Sequence, residues 1–413
     1  MHRPSPPEGV NSALFAKMAL TGSTLRIPFN RPSVAGAEFE HMREAVAQGN
    51  LGGEGVFSVK CCDFLRDYLQ STEVLLTSSC TAALEIAVQT AGIGLGDEVI
   101  VPSFTYVSTA NAIIRQGAVP VWVDIRPDTL CMDESLVARA VTAKTRAILP
   151  VHYGGIPCEM AALRQMAAQH NLAIIEDAAA ALGSQHRGQA VGAWGDFACF
   201  SFHETKNVSC GQGGVLCINK PELADQARII RDRGTNRHLF MKGEVDQYAW
   251  VGRGSAYGLS ELAAAFLWGQ LEMIDSIGSR REQQFLRYHE ALSPLVDQQM
   301  IRLPSCRAES VCNHHTFALI TRSAGERDRL LAHLRSHGIL AAPHYVPLHT
   351  SPMGRTVVGP VPHLPVTESI SGLLVRLPLF HSLGESEQDE VIDAVLAFYP
   401  DTMPLSASLA ATT

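Results

Sequence analysis

Short apolar runs alternate with longer amphipathic stretches over about residues 98–218. The runs are rich in Val, Ile and Phe and fall at 99–101, 119–125, 147–151, 173–175, 197–202 and 215–218. Between them lie pieces rich in Ala and Leu with polar interruptions, for example residues 160–170, which suit helices covering a sheet. Strands that alternate with helices in this way predict an α/β fold with a mostly parallel sheet.

A second pattern follows this region. A helical pattern begins after Leu262 and runs past Leu286 without a proline until Pro294, which is long enough to bridge two domains. Beyond it we predict a small α+β domain. Its elements are a strand at 317–320, a helix at 328–337, a strand near 341–346, an apolar run at 377–380 and a last helix opened by a capping box at 386–389.

These patterns divide the chain into four expected parts. The parts are an N-terminal extension over residues 1–26, a large domain over 27–275, a small C-terminal domain over 276–400 and a tail over 401–413.

Composition narrows the function classes. The 413 residues carry 33 Lys plus Arg against 41 Asp plus Glu, a formal charge of −8, so we expect no nucleic-acid partner. No run reaches the roughly 18 apolar residues of a membrane span, and the first 26 residues lack the apolar block of a secretory signal. The ten cysteines are scattered and lack metal-site spacing, so we expect free thiols, no metal and a reducing, cytoplasmic location.

The apolar runs end in short strings that contain polar residues. They occur at 102–103, 124, 152–153, 176–177 and 201–203. Ligands of parallel sheets bind beyond the carboxyl ends of the strands, so the simplest interpretation is one shared crevice at this edge.

A hydroxyl-rich turn precedes one predicted helix. Ser78, Ser79, Cys80 and Thr81 come directly before the apolar residues 82–87, so hydroxyls and free backbone N–H groups cluster at the first helical turn. Such a turn can hold a phosphate. The alternative is that Ser79 or Thr81 only caps the helix.

Two further residues stand at strand ends. Asp177 follows the run 173–175, and Lys206 follows the run 197–202. Asp177 could pair with a cation or cap a helix, and Lys206 could be a solvated surface residue, yet a desolvated lysine in a cleft can form a Schiff base. A phosphate turn, an acid for a ring nitrogen and a lysine for an aldehyde are together the parts that pyridoxal phosphate (PLP) requires.

Several strings resemble one known family. Residues 27–30 (Ile-Pro-Phe-Asn), 102–111, 151–154, 201–207 (Ser-Phe-His-Glu-Thr-Lys-Asn) and 344–349 are the most specific. Through them the chain, from about residue 27 to 399, resembles the DegT/DnrJ/EryC1/StrS sugar-nucleotide aminotransferases, which are fold-type I PLP enzymes. The resemblance implies a large domain with a mostly parallel seven-stranded sheet, a small α+β domain, PLP as cofactor and a homodimer with its sites at the interface.

The resemblance also implies roles for individual residues. Lys206 matches the lysine that holds the cofactor and carries a proton, and Asp177 matches the acid beside the pyridine nitrogen. Cys80, Thr81 and Ser201 match the residues that bind the cofactor phosphate. Tyr106 matches the aromatic residue that stacks on the cofactor, with core packing as the alternative.

Other matched positions are less specific. Ser255 lies where many members of the family have an Asn. In those members the Asn comes from the second subunit and binds the cofactor phosphate. His203, His344 and Tyr345 are candidate substrate contacts. For His152, His203 and His344 a satisfied structural role is an equal alternative.

Three positions depart from the family pattern. Ala180 stands where Gln or His is common, Gln212 replaces a Glu and Ala256 lies in the changed loop around Ser255. These changes keep open a catalytically silent relative that binds sugar nucleotides. A dehydratase is disfavoured, since dehydratases of the family carry His in place of Lys206.

The expected reaction follows from the fullest match. The strings around Lys206 and His344 are shared most fully with the branch that converts dTDP-4-keto-6-deoxyglucose to dTDP-4-amino-4,6-dideoxygalactose, with glutamate as amino donor. Amination of another keto sugar nucleotide, at C3 or with a different base or configuration, is the alternative.

Overall fold

The computed structural model describes residues 25–357 and 359–399. The expected tail and nearly all of the expected N-terminal extension lie outside these residues. Strands within the described part are β1 (Glu73–Thr77), β2 (Glu98–Pro102), β3 (Val119–Val123), β4 (Thr145–Ile148), β5 (Ala173–Asp177), β6 (Gln185–His186), β7 (Gln189–Ala190), β8 (Phe197–Ser201), β9 (Gly214–Ile218), β10 (Ser310–Val311), β11 (Ala318–Ile320) and β12 (Leu374–Arg376).

Helices surround these strands. They are α1 (Glu38–Gln48), α2 (Val56–Tyr68), α3 (Cys80–Thr90), α4 (Val107–Ile114), α5 (Glu134–Ala140), α6 (Met160–His170), α7 (Ala224–Arg231), α8 (Arg237–Met241), α9 (Glu261–Glu272), α10 (Ile274–Asp297), α11 (Ala324–Ser336), α12 (Pro352–Val357), α13 (Pro365–Leu373) and α14 (Glu385–Phe398). Single 3₁₀ turns occur at Tyr153–Gly155, Pro221–Leu223 and Leu348–Thr350.

A seven-stranded sheet forms the centre, in the order β1-β9-β8-β5-β4-β2-β3. Neighbouring strands from β8 to β3 are parallel, and β9 runs antiparallel to both β8 and β1. The expectation of a mostly parallel seven-stranded sheet is therefore confirmed. The six apolar runs correspond to β2, β3, β4, β5, β8 and β9, and the edge strand β1 was not among them.

Both faces of the sheet are buried, as a sheet flanked by crossover helices requires. Along β2, Val99 and Val101 pack towards α3 and α4, whereas Ile100 packs on the opposite face with residues of α5 and α6. Along β8, Phe197 joins the first face and Phe200 joins α2 and α9 on the other. This alternation explains why the strands read as continuous apolar runs.

A further apolar cluster joins α10, α11 and α14 with β11 and β12. Ile27 belongs to this cluster and bridges to Ile339, so the start of the described chain packs with the C-terminal elements. The division into domains at residue 275 remains a prediction.

Three predicted details differ from the structure. The long helical pattern is two helices, α9 and α10, because Met273 leaves helical geometry (φ −104°, ψ 10°). The segment 341–346 forms only an isolated bridge from Ala342 to Arg376. The N-cap of helix α14 is Gly384, two residues before the expected cap at Ser386, because Glu387 Oε2 accepts from Gly384 N at 3.0 Å and closes the first turn there.

The expectation that every cysteine is a free thiol is wrong for two of them. Cys306 and Cys312 form a disulfide across a six-residue separation. The segment between them is held by strand pairing of β10 with β6 and by two ion pairs of Arg307, to Glu134 and Glu159. These tertiary contacts bring the two ends of the segment together, and the spacing of the cysteines gave no sign of it.

No helix in the described ranges has the length and apolar character that crossing a membrane requires.

Two acids end β5, and the strand turns them to opposite faces. Glu176 accepts from the N–H groups of Gly192 (3.0 Å), Trp194 (3.0 Å) and Gly195 (2.7 Å) and lies 3.0 Å from His152 Nε2. Cys158 N donates to His152 Nδ1, so Nε2 carries the proton and donates to Glu176. Glu176 and His152 therefore have structural roles.

We expect Glu176→Gln to lower the free energy of unfolding by about 3 kcal/mol, because one amide oxygen cannot satisfy four donors that a buried carboxylate satisfies. Urea unfolding followed by circular dichroism measures the loss. Glu290→Gln on the exposed side of α10 is the control and should change stability by less than about 0.5 kcal/mol. Equal effects of the two substitutions would contradict the structural role of Glu176.

Candidate active site

The carboxylate of Asp177 lies buried at the carboxyl end of β5. Its Oδ2 accepts from the Thr109 hydroxyl at 2.7 Å, and its Oδ1 accepts from Ala179 N at 3.2 Å. No cationic side chain lies within ion-pair distance of it in residues 25–357 and 359–399. Burial raises the pKa of Asp177, although Thr109, Ala179, Lys206 and His152 act in the opposite direction.

Lys206 lies on the turn that follows β8. Its N–H donates to the carbonyl of His203 at 2.8 Å, and His203 Nδ1 in turn accepts from Thr205 N at 3.3 Å. Burial lowers the pKa of the Lys206 amine, the nearby Arg376 also lowers it, and Cys80 and Asp177 raise it. A cavity beside the amine is lined by Ala180, Ser201, Asn207 and His315 among others.

The start of α3 borders the same edge of the sheet. Ser79 caps the helix by accepting from Ala82 N at 3.1 Å, and Thr81 donates its hydroxyl to Ser108 Oγ at 2.7 Å. The N–H groups of Cys80 and Thr81 are the first two of the helix, so they have no partner within it. Ser79 can therefore cap the helix, as predicted, while the N–H groups of Cys80 and Thr81 remain available to a phosphate.

Gly214 brings Ser201 to this helix start. It pairs with Ser201 in β8 and with Thr77 in β1. A Cβ at position 214 would lie 2.4 Å from Cys80 N, so only glycine allows the approach of the two backbones. The hydroxyl of Ser201, which accepts from His203 N at 3.3 Å, thus belongs to the same corner as Cys80 and Thr81.

Aromatic side chains line one side of the site, and we call them the aromatic wall. His344 stacks on Tyr345 with ring centroids 3.5 Å apart, and Tyr345 lies 6.4 Å from Tyr106. Tyr153 OH lies 2.9 Å from His344 Nδ1. Tyr106 precedes α4, the helix that carries Thr109 to Asp177, and its side chain is 60% exposed. That exposure argues against core packing for Tyr106.

Two of the predicted residues lie apart from this arrangement in the single chain. Ser255 is exposed, and its backbone bonds to Arg233 and Ile230 rather than to the start of α3. His203 is half-buried and contacts Thr205, so its observed contacts support the turn of Lys206.

Several residues at the site were missed by sequence reasoning. Thr109 lay inside a recognised string without an assigned role. Asn207 bonds through Oδ1 to His315 Nδ1 at 2.9 Å and through Nδ2 to the carbonyl of Asn313. Arg376 lies among apolar neighbours, and this isolated charge in an apolar run was a signal that could have found it.

These groups fit PLP. The buried Asp177 carboxylate lacks a positive partner, which a protonated pyridine nitrogen would supply. The free N–H groups of Cys80 and Thr81 and the hydroxyl of Ser201 are phosphate donors. The Lys206 amine, whose pKa is lowered, suits covalent attachment of an aldehyde. A large sheet domain with these groups at its carboxyl edge defines a fold-type I PLP-dependent aminotransferase.

Comparison with known proteins identifies the family. Residues 33–396 match the DegT/DnrJ/EryC1/StrS aminotransferase family. The chain belongs to this family of PLP-dependent sugar aminotransferases.

Solved structures agree with this assignment. DesV of S. venezuelae, in complex with a ketimine intermediate, is 35% identical, with a TM-score of 0.79 over 87% of this chain and 94% of that one. The aminotransferase TlmJ from Streptoalloteichus hindustanus is 29% identical, with a TM-score of 0.84 over 91% and 100%. A Streptococcus pneumoniae protein in its PLP form is 26% identical, with a TM-score of 0.83 over 92% and 100%, and its PMP form has also been solved.

We expect PLP followed by borohydride reduction to label Lys206. Burial lowers the pKa of its amine, so the neutral, nucleophilic form is present at a pH where ordinary lysines are protonated. Peptide mapping by mass spectrometry locates the label. Lys220, which is exposed and ion-paired with Asp196, serves as the internal control and should remain unlabelled at neutral pH. A label mainly on another lysine would contradict the site.

Proposed function

We propose that this protein transfers the amino group of glutamate to C4 of a 4-keto-6-deoxy sugar nucleotide, converting dTDP-4-keto-6-deoxyglucose to dTDP-4-amino-4,6-dideoxygalactose. The observation that carries the transamination is the buried carboxylate of Asp177, which has no cationic partner among the described residues, at the same sheet edge as the desolvated amine of Lys206. The choice of acceptor rests on the resemblance around Lys206 and His344. PLP, when bound, withdraws electrons from the carbon that carries the amine. The chain must therefore bind it, keep its ring nitrogen protonated and move a proton at that carbon.

Asp177 holds the proton on the pyridine nitrogen. Burial disfavours its charge in the free site, so a positive ring is the partner that stabilises the carboxylate. Thr109 and Ala179 each donate one hydrogen bond and orient the two oxygens. Thr109 is thus a positioning residue that acts through Asp177.

Lys206 is the covalent anchor and then the proton carrier. A general base works best with a pKa near the operating pH, and burial moves the pKa of Lys206 in that direction. Its turn is held by the backbone bond to His203 and by the neighbouring Asn207, which bonds to His315 and Asn313. These contacts limit the movement of the amine.

Cys80, Thr81 and Ser201 bind the phosphate. Two N–H groups at the start of α3 point out of the helix, where the helix dipole favours an anion. Thr81 and Ser201 add hydroxyls. Tyr106 stacks on the ring, in keeping with its exposed side chain beside Tyr345.

The sugar nucleotide enters along the aromatic wall. Tyr345 and His344 offer a flat apolar surface, and burial lowers the pKa of His344, so its ring is neutral at pH 7. An uncharged aromatic surface suits contact with the uncharged ring of a sugar. His203, at the outer end of the Lys206 turn, is a further substrate contact.

A second copy of the chain completes the site. Apolar side chains are exposed on the segment that leads to Ser255, with Trp250 81% and Met241 70% exposed. Exposed apolar groups of this size favour burial in an interface. Such an interface would carry Ser255 to the phosphate of the partner's site.

We expect Asp177→Asn to reduce kcat at least about 100-fold while weakening cofactor binding much less, because the amide keeps the size but cannot stabilise a positive ring. Absorbance titration with PLP separates binding from turnover. The matched control is Glu176→Gln, which alters the neighbouring acid and should retain turnover in the folded fraction. Near-normal turnover of the Asp177 variant would refute its role.

We expect the holoenzyme, supplied with glutamate, to aminate dTDP-4-keto-6-deoxyglucose at C4 and to give the galacto product. NMR ring couplings of the product determine the position and configuration. A 3-keto sugar nucleotide is the control substrate and should react poorly. A gluco product would refute the configuration, and amination at C3 or no reaction would refute the proposed acceptor.

A further inference from the structure

The disulfide between Cys306 and Cys312 lies at the surface of the protein. Cys306 is exposed and Cys312 is half-buried, so a small thiol can reach the Sγ atom of Cys306. Thiol–disulfide exchange requires this access, because the attacking thiolate must contact a sulfur of the bond. The disulfide can therefore be opened while the chain remains folded.

The other eight cysteines offer no competing reactive thiol. Six of them are buried: Cys61, Cys80, Cys131, Cys158, Cys199 and Cys217. Cys62 and Cys210 are half-buried, and burial raises the pKa of the Cys62 thiol to about 11 and that of the Cys210 thiol to about 12. The thiolate is the reactive form, so both remain protonated at neutral pH. Thiol chemistry at neutral pH is thus confined to the 306–312 pair.

Asn313, the residue after Cys312, joins this pair to the segment that follows β5. Its Nδ2 donates to the carbonyls of Ala180 and Leu182, each at 2.8 Å. Its backbone N–H donates to Ser184 Oγ at 3.2 Å. These three hydrogen bonds fix the position of Asn313 against the large sheet domain.

The same Asn313 contacts the turn of Lys206. Its carbonyl accepts from Asn207 Nδ2 at 2.9 Å, and Asn207 Oδ1 lies 2.9 Å from His315 Nδ1. Asn207 directly follows Lys206, and Asn207, Asn313 and His315 all line the cavity beside the amine of that lysine. A displacement at Cys312 therefore reaches the Lys206 turn through one residue and one hydrogen bond.

The rest of the loop has attachments of its own. Arg307 forms ion pairs with Glu134 at 3.0 Å and with Glu159 at 2.8 Å, and β10 pairs with β6. These contacts do not depend on the sulfur–sulfur bond, so they hold residues 307–311 in either redox state. Opening the bond frees the side chain of Cys312 and removes one restraint on Asn313. Such a change affects rate, since a misplacement of about 1 Å can cost on the order of 100-fold.

We propose that Cys306 and Cys312 form a redox site that controls the Lys206 turn, with the disulfide form as the more active one. The reactant is a dithiol reductant. One of its thiolates attacks Sγ of Cys306, Cys312 leaves as a thiolate, and the second thiol of the reductant then displaces Cys306. The protein gains two electrons and two protons from the dithiol, which itself becomes a disulfide. The effect on rate rests on the proposed transamination, whereas the exchange step does not.

Alkylation locates the site. The protein, purified without reductant, is treated with iodoacetamide at pH 7 before and after dithiothreitol, and its peptides are mapped by mass spectrometry. We expect Cys306 and Cys312 to be labelled only after reduction, and at least about ten times more than Cys62 and Cys210. Labelling of both thiols before reduction would show that the bond is absent and would overturn the inference.

Hydrogen exchange gives a readout apart from turnover. We expect reduction to accelerate amide exchange at least about fivefold in peptides that cover residues 312–316 and 203–208, and to leave helix α11 unchanged. Equal acceleration in α11 would show a general loss of stability in place of a change transmitted to the Lys206 turn, and would overturn the inference.

The rate is measured as the absorbance change of the PLP-loaded holoenzyme with glutamate, after the reductant has been removed. We expect the reduced protein to react about fivefold more slowly and oxidised glutathione to restore the rate. The double variant Cys306→Ser/Cys312→Ser should be slow with or without reductant. Cys62→Ser is the matched control and should respond to reduction as the unaltered protein does.

A further variant tests the route of the coupling. Asn313→Ala removes the bonds to Ala180 and Leu182, so we expect it to be slow in both redox states, with less than about a twofold response to reduction. Circular dichroism verifies that each variant is folded. A full response of Asn313→Ala would show that its side chain does not transmit the change and would overturn the inference.

Unchanged hydrogen exchange after complete reduction, or an unchanged rate of a reactive holoenzyme, would also overturn it and leave the disulfide a structural link. Failure of the unaltered holoenzyme to react with glutamate would instead refute the proposed transamination. The alkylation and exchange measurements would then still decide the redox site.

Discussion

The buried carboxylate of Asp177 is the constraint on which the rest of the site depends. A charge at the end of a central strand is unfavourable unless a cation joins it. Among the described residues, the donors to the Asp177 carboxylate are one hydroxyl and one N–H. A positively charged ring, as we propose, would complete the site. The family's cofactor would provide that ring, and the order of the strands places Lys206 and the start of α3 at the same edge of the sheet.

The order of the strands brings these groups together. β5 and β8 are parallel neighbours, so Asp177 and the turn of Lys206 leave the sheet at the same edge. β9 returns antiparallel between β8 and β1, and its Gly214 allows the start of α3 to approach Ser201. The phosphate corner and the acid are thus separated by the width of a few strands, which is the scale of a pyridine ring with its phosphate arm.

The other buried titratable groups near the site fall into two kinds. Glu176, one residue before Asp177, is satisfied by N–H groups and by His152, so it holds the scaffold and does not compete for the ring. Burial lowers the pKa of His344 and His315 and so keeps both rings neutral, while the buried Nε of Arg376 has no hydrogen-bond partner among the described residues. Each buried charge is therefore either satisfied by the protein or available to a ligand, and this distinction separates the scaffold from the site.

The sequence by itself determined the fold class, because apolar periodicity and the polar residues at strand ends are local features. Strand-end positions and the resemblance to the family also singled out Lys206, Asp177 and the turn at Cys80 as candidates for binding PLP. The tertiary structure alone decided which of two adjacent acids faces the site, that Thr109 supports Asp177, that Cys306 meets Cys312, and that Arg376 packs on the distant Phe29. These relations depend on contacts between residues far apart along the chain, which spacing in the sequence does not encode.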